Sequence, residues 1–326
     1  MTKHPSPSAT SVAHASAAPR VSIILHCRNH GKTLARCLDS LLAQSHPNIE
    51  IIAYDFASTD DTWQIVTDYQ DRHPGIITVL RIRKDYFPDA LVEHLQNARG
   101  KYVMRFHGNA VLHSDLIETC LRQIEAEADV ALVRVRTMRL DEQGGQIPEM
   151  PLYDQSGTVS GDEHLVRLLM EAPSPFSNVC LFNTDILKLH GGHSNHYTEL
   201  LLALKYRAGY LLDPWLLFIR PEADEEGDES IIDHYIRLYL DKRRIATHIA
   251  QCGTGCPEDA CAASIIQLGR HLLHESGAAR ARGQDALSGR LAHLAATIAP
   301  AVGAEACFEA ATSPADHSFT PRPKAD

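Results

Sequence analysis

The sequence predicts a doubly wound, mostly parallel α/β sheet followed by a helical extension. Two observations carry that expectation. Through the first 110 residues, short continuous apolar runs alternate with segments of helical periodicity, the order that builds parallel sheets with crossover helices. Beyond residue 230, only the helical period remains.

The elements follow in order. "VSIILHCRN" (21–29) opens as a continuous apolar run and ends in polar residues, as a buried parallel strand does. "KTLARCLDSLLAQ" (32–44) spaces Leu34, Cys37, Leu38, Leu41 and Leu42 on one helical face. "IEIIAYD" (49–55) is the second strand, and "STDDTWQIVTDYQDRH" (58–73) is a helix with capping residues and acids at its start. A third strand is expected at 77–83, a helix closed by Gly100 at 89–100, and a fourth strand at 102–107. Further strands are expected at 129–138 and near 177–183. A Leu-rich helix and another strand should follow within 198–213.

These elements divide the chain into five parts. Residues 1–20, rich in Ser, Pro and Ala, read as a disordered leader, and 21–220 as the α/β domain. The acidic, Pro- and Gly-bearing stretch 221–230 reads as a linker, 231–300 as the helical extension, and 301–326 as a disordered tail. The stripes Ile232, Tyr235, Ile236 and Tyr239, then Ala262, Ile265 and Ile266, then Leu287, Leu291 and Leu294 could pack on the domain, on each other or on a protein partner.

Charge and composition exclude some functions. A net charge of −10 argues against nucleic-acid binding, which needs a basic surface. No run reaches the ~20 apolar residues of a membrane span, and the leader lacks the apolar core of a secretory signal, so the cytoplasm is the expected compartment. The cysteines form no Cys-x-x-Cys pair, and Cys252, Cys256 and Cys261 match no standard metal spacing. They read as free thiols.

Ligands of such sheets gather outside the carboxyl ends of the strands. Those ends are His26–Asn29, Asp55–Ser58 and His107–Asn109. No Gly-x-Gly-x-x-Gly and no Gly-x-x-x-x-Gly-Lys follows a strand, which excludes the common dinucleotide and phosphate loops.

"VSIILHCRNHGKTLARCLDSLLAQSHPNIEIIAYDFASTDDT" resembles the opening of family 2 glycosyltransferases of the GT-A fold, the nucleotide-diphospho-sugar transferase type. "ARGKYVMRF" resembles the segment that leads to that family's metal-binding Asp-x-Asp. The resemblance covers roughly 21–215. It implies a nucleotide-sugar donor, a divalent cation on Asp-x-Asp, a glycan or lipid-linked acceptor, and a role in surface or exopolysaccharide assembly. Carried over by position, it makes His26, Arg28, Asn29, Asp55, Phe56, His107 and Asn109 the donor-binding residues.

The sequence departs from the pattern at several of these positions. The family's Pro and Tyr are His26 and Arg28, its second base-contacting Asp is Phe56, and the following Gly is Ala57. Its Arg-Asn-x-Gly is absent at Leu91–His94. Asp-x-Asp is His107-Gly108-Asn109, and the late Glu-Asp pair falls at His196-Tyr197, with Glu199 close by. A neutral imidazole and an amide are poor ligands for Mg²⁺ or Mn²⁺, which prefer anionic oxygen.

Two readings follow. In the first, the chain is an active transferase in which Arg28 and Arg105 answer the charge of the leaving group. Asp55 then holds the nucleoside, and Glu199 or His196 is the base. Asp55 reads equally as a cap or turn carboxylate. In the second, the chain is a catalytically inactive relative kept for binding or assembly. A replacement metal site of His107, His193 and His196 is a further expectation, because imidazoles suit Zn, Ni or Fe.

Overall fold

The apolar run of strand β1 (Val21–Cys27) is wholly buried because it lies between two parallel neighbours. The computed structural model describes residues 18–82, 94–140, 145–171, 179–190, 195–218, 228–252, 258–302 and 304. Helix α1 (Leu34–Leu42) lays Leu34, Cys37, Leu38 and Leu41 against the sheet. Strand β2 (Ile49–Phe56), helix α2 (Thr62–Arg72) and strand β3 (Ile77–Ile82) repeat the unit. Only a 3-10 turn, Leu95–Asn97, is seen within the described part of the helix expected at 89–100. Gly100 does not close a helix. A Cβ there would lie 2.6 Å from the Ser22 nitrogen, so the glycine lets the chain pass close to β1.

Strands β4 (Tyr102–His107) and β5 (Ala110–Leu112), helix α3 (Leu116–Ile124) and strand β6 (Val130–Leu140) follow. Next come the short strands β7 (Gln146–Pro148) and β8 (Gly157–Val159), and then helix α4 (Gly161–Met170). Strand β9 (Val179–Asn183), helices α5 (Thr184–His190) and α6 (Asn195–Ala203), and strand β10 (Arg207–Phe218) complete the α/β part. Among the described residues the strands form one sheet in the order β3-β2-β1-β4-β9-β6-β10-β5. Its long pairings, β1-β2, β2-β3, β1-β4 and β6-β10, are parallel. Strand β9 runs antiparallel to β4 and β6, and the short strands β5, β7 and β8 pair antiparallel with β10 or β6.

Helices α7 (Asp228–Cys252), α8 (Glu258–Ala281) and α9 (Asp285–Ile298) form the extension. The expected linker therefore already turns helical at 228, and 221–227 lie outside the described residues. So do 1–17 of the leader and nearly all of the tail. The apolar stripes divide their burial in two. Ile232, Tyr235, Leu287 and Leu291 close on each other within the three helices. Ile245, Ile249 and Cys261 close on Leu165, Leu168, Leu169 and Leu200 of the α/β domain. Ile236, Leu240 and Ile266 stay exposed. Among the described residues no helix is long and apolar enough to cross a membrane.

Candidate functional site

Parallel pairing sets the register of the strand tips. His26 of β1 stands between Tyr54 of β2 and His107 of β4, and Ile24 lies beside Arg105. Side chains alternate faces along a strand, so His26, Tyr54, Phe56, Arg105 and His107 share one face. The His26 Nε2 and His94 Nδ1 atoms share a hydrogen bond at 3.1 Å. Around His26, the Phe56 ring lies at 5.2 Å, His94 at 4.8 Å and His107 at 5.8 Å between centroids. Tyr54 donates from its hydroxyl to the His94 carbonyl at 3.2 Å.

These imidazoles are kept neutral. Burial, then the Arg105 guanidinium, lowers His94 to about 4 and His107 to about 3, and holds His26 well below its ordinary value. Burial also lowers His30 to about 4, against the opposing pull of Asp60. Arg105 is therefore the fixed positive charge of this group.

The loop after β1 is stitched to the loop after β2. Asn29 takes a left-handed φ of 52°, donates its backbone N–H to Ser58 Oγ at 3.1 Å and accepts at Oδ1 from the Thr59 N–H at 2.9 Å. Gly31 donates to Asp60 Oδ2 at 2.7 Å, and the His30 N–H to Thr62 Oγ1 at 2.7 Å. Ala57 holds a φ of 51°, a glycine-type backbone kept at the position where the resemblance expects glycine.

Asp55 is fully buried, with one oxygen accepting from the Ser58 N–H at 3.4 Å and the other ion-paired to Arg81 at 3.2 Å. It is a turn carboxylate bound to protein partners. Arg81, 43% exposed, lies over the Trp63 ring at 4.7 Å. Arg28 projects as an exposed cation at the rim.

At the tip of β4 the Gly108 N–H donates to the His26 carbonyl at 2.9 Å. A Cβ on Gly108 would lie 2.8 Å from His30 Nδ1. Asn109 is 3% exposed. This tip does not fit a Mg²⁺ or Mn²⁺ ion, since it offers no carboxylate and stands beside a guanidinium. Among the described residues, His107 and His196 of the expected three-histidine site are not brought together with a third ligand. His193 lies outside the described residues, His196 belongs to a different cluster, and among the described residues no three His, Cys, Asp or Glu side chains converge as metal ligands.

That second cluster, built on β6, α4, α6 and α7, contains Glu199. Arg134 of β6 donates to Glu199 Oε2 at 2.9 Å and to both oxygens of Glu171 at 2.8 and 2.9 Å. Glu199 Oε1 meets His164 Nε2 at 3.1 Å, and the Tyr153 hydroxyl meets His164 Nδ1 at 2.9 Å. Lys242 donates its ammonium to the carbonyls of Leu169 and, at 3.0 Å, Glu171.

Burial raises the Glu199 carboxyl, but Arg134 and His164 outweigh it and hold the group at about 2. One guanidinium does not hold both carboxyls low, and Glu171 is raised by burial. Glu199 is thus corrected from a base to a buried anchor, 1% exposed and weakly basic. His196 is 5% exposed and neutral by burial, and both its ring nitrogens lack hydrogen-bond partners among the described residues.

Sequence reasoning missed Arg134, Glu171, His164 and Lys242, as well as His94. A signal existed for Arg134: an arginine inside the apolar run "VALVRVRTM" needs a buried carboxylate. None existed for His94, whose place depends on chain packing.

Comparison with known proteins bears on the family and the fold. Residues 22–162 match the family described as glycosyl transferase family 2. The chondroitin synthase of Escherichia coli is 27% identical over 145 residues, 44% of this chain and 21% of that protein. The putative glycosyltransferase EpsE of Bacillus subtilis is 30% identical over 127 residues, 39% of this chain and 46% of that one. The chain thus spans less than half the length of these curated relatives. Among solved structures, residues 1–349 of TarS from S. aureus superpose with a TM-score of 0.55 at 16% identity, covering 81% of this chain and 74% of that one. Residues 22–162, which carry nearly all of β1 to β8 and the start of α4, are thus similar to family 2 of the glycosyltransferases, and the sheet has the GT-A fold.

Proposed function

We propose that the chain transfers a sugar from a nucleotide-sugar donor to a glycan or lipid-linked acceptor in surface or exopolysaccharide assembly. In this reading arginine, not a bound cation, answers the charge of the leaving diphosphate. The observation that carries it is the tip of β4, where the acids of the family motif are gone and Arg105 stands among neutral imidazoles. As the bond from the sugar to the diphosphate breaks, negative charge grows on the leaving oxygen, and a fixed guanidinium stabilises that charge. Arg28 at the rim and Arg105 beneath it fill this role. Asn29 and Asp55 shape the loops, and His26 and Phe56 form the floor. Neither Glu199 nor His196 is assigned as the base, since one is an anchored carboxylate and burial leaves the other a weakly basic ring.

The relatives support the reaction class. One is an E. coli glucosyltransferase, WfaP, named for UDP-Glc and a diphosphoundecaprenol-linked acceptor, 35% identical over 86 residues and 26% of this chain. A panel of nucleotide sugars with Mn²⁺ or with EDTA tests the proposal. One donor should raise the melting temperature saturably in both conditions, and Arg105→Ala should abolish the rise. A rise that requires Mn²⁺ would overturn the arginine reading.

A second reading is favoured by the burial of Glu199, His26 and Phe56. It is a catalytically inactive transferase-like protein acting as a binding or assembly partner, with exposed Ile236, Leu240 and Ile266 on the C-terminal helices as its apolar contacts. A flat response to every donor, together with no sugar transfer, would select it.

A further inference from the structure

We infer that a cleft between the first turn of α6 and the exposed face of α7 binds an anionic saccharide, the acceptor in the reaction proposed above. Tyr197, Leu240, Arg243, Arg244, Thr247, His248 and Gln251 line it, and its volume is about 400 Å³. It is a shallow depression that stands largely open to solvent.

The charge of the cleft runs against that of the chain. The protein carries −10, yet this lining has two arginines, a histidine and no carboxylate. Asp241, 3% exposed, stands just behind the lining, close enough to Tyr197 and Arg244 to act on both. Its contact with Arg244 is long, 3.7 Å, and leaves that guanidinium half-exposed. Arg243 is exposed, and no ion pair to a described residue takes up its charge. Two adjacent guanidinium groups in a concavity suit a carboxylate or phosphate.

The walls are rigid. On the inner face of the same α7 turns, Lys242 is 1% exposed and anchored to two carbonyls at the end of α4. Ile245 and Ile249, 0% and 4% exposed, pack on Leu165, Leu168 and Leu200. The outward residues are therefore presented by a fixed backbone, which reduces the ordering cost of binding.

The rest of the lining favours a sugar. The Tyr197 ring and the 42% exposed Leu240 offer an apolar wall for a pyranose face, and Thr247 and Gln251 offer hydrogen bonds to hydroxyls.

The test is direct binding by the full chain, with no turnover required. A galacturonic-acid trisaccharide, maltotriose, inorganic phosphate and phosphatidylglycerol vesicles are titrated against wild type, the double variant Arg243→Gln/Arg244→Gln, and Arg243→Lys/Arg244→Lys. The uronate should bind at least about tenfold tighter than maltotriose or phosphate. The Gln pair should lose that margin and the Lys pair recover part of it, with any donor-induced melting shift unchanged. Equal binding of maltotriose, or wild-type affinity in the Gln pair, would overturn the inference. Phosphate competing as strongly as the uronate would reduce the site to a bare anion site, and arginine-dependent vesicle binding would reassign it to lipid. Uronate binding without any donor response would sink the transfer reading and leave this one standing.

Discussion

Arg134 explains why Glu199 serves as an anchor within the fold rather than as a base. The guanidinium interrupts an apolar strand, and its cost of burial is offset only because Glu199 and Glu171 close around it. Glu199→Gln keeps the shape but removes the charge that faces both Arg134 and His164. Unfolding in urea should show a loss of about 3 kcal/mol, the usual scale for breaking a buried pair. A loss below about 0.5 kcal/mol, the scale of an ordinary surface substitution, would show that the carboxylate is not structural. The positions of the strand-tip residues were readable from the sequence, since apolar runs place His26, Asp55 and His107 at carboxyl ends. Their partners were not. Whether Asp55 faces a nucleoside or Arg81 depends on the register of β3, which no local pattern encodes.

At the scale of elements, the strands and most helices were legible because continuous apolar runs mark the buried strands and a 3.6-residue period marks the helices. The direction of β9 was not, since an apolar run reads the same whether it enters a sheet parallel or antiparallel. Packing between helices was equally hidden. Gly161 begins α4 where α6 ends, and a Cβ on it would lie 2.2 Å from the Ala203 carbonyl oxygen and 2.5 Å from that of Tyr206. Backbone atoms do not yield as a flexible side chain does. Gly161→Ala should therefore cost about 2 kcal/mol through overpacking. Gly289 in α9 meets nothing within 4 Å, so Gly289→Ala should instead add about 0.5–1 kcal/mol of helix stability. Thermal melts of the two variants should move in opposite directions. A shift of the same sign in both would contradict the packing described for α4 and α6.

For the whole molecule, the extension and the α/β domain share a buried boundary through Ile245, Ile249 and Cys261, so acid acts on one connected body. The group most exposed to acid is the set of neutral histidines. His30, His94 and His107 have folded values of about 4, about 4 and about 3, against 6.5 for an unperturbed imidazole, with His26 and His196 lowered as well. Between those limits the unfolded chain holds more protons than the native one, so stability is full above pH 6.5 and declines as the pH falls. Each such histidine contributes a slope of roughly 1.4 kcal/mol per pH unit at most. Glu199, depressed from 4.5 to about 2, holds its contribution until pH 4.5 and loses it only below that. Glu171, raised by burial, works the other way and offsets part of the loss. Carboxylates with depressed values therefore cannot account for a decline that begins near pH 6.5, and the histidines can. The melting temperature should fall steadily from pH 7 to 5, and His94→Phe should flatten that fall by removing one titrating ring from the cluster. A melting temperature constant down to pH 5 would mean that these imidazoles are protonated in the native protein and that the neutral floor beneath Arg105 does not exist.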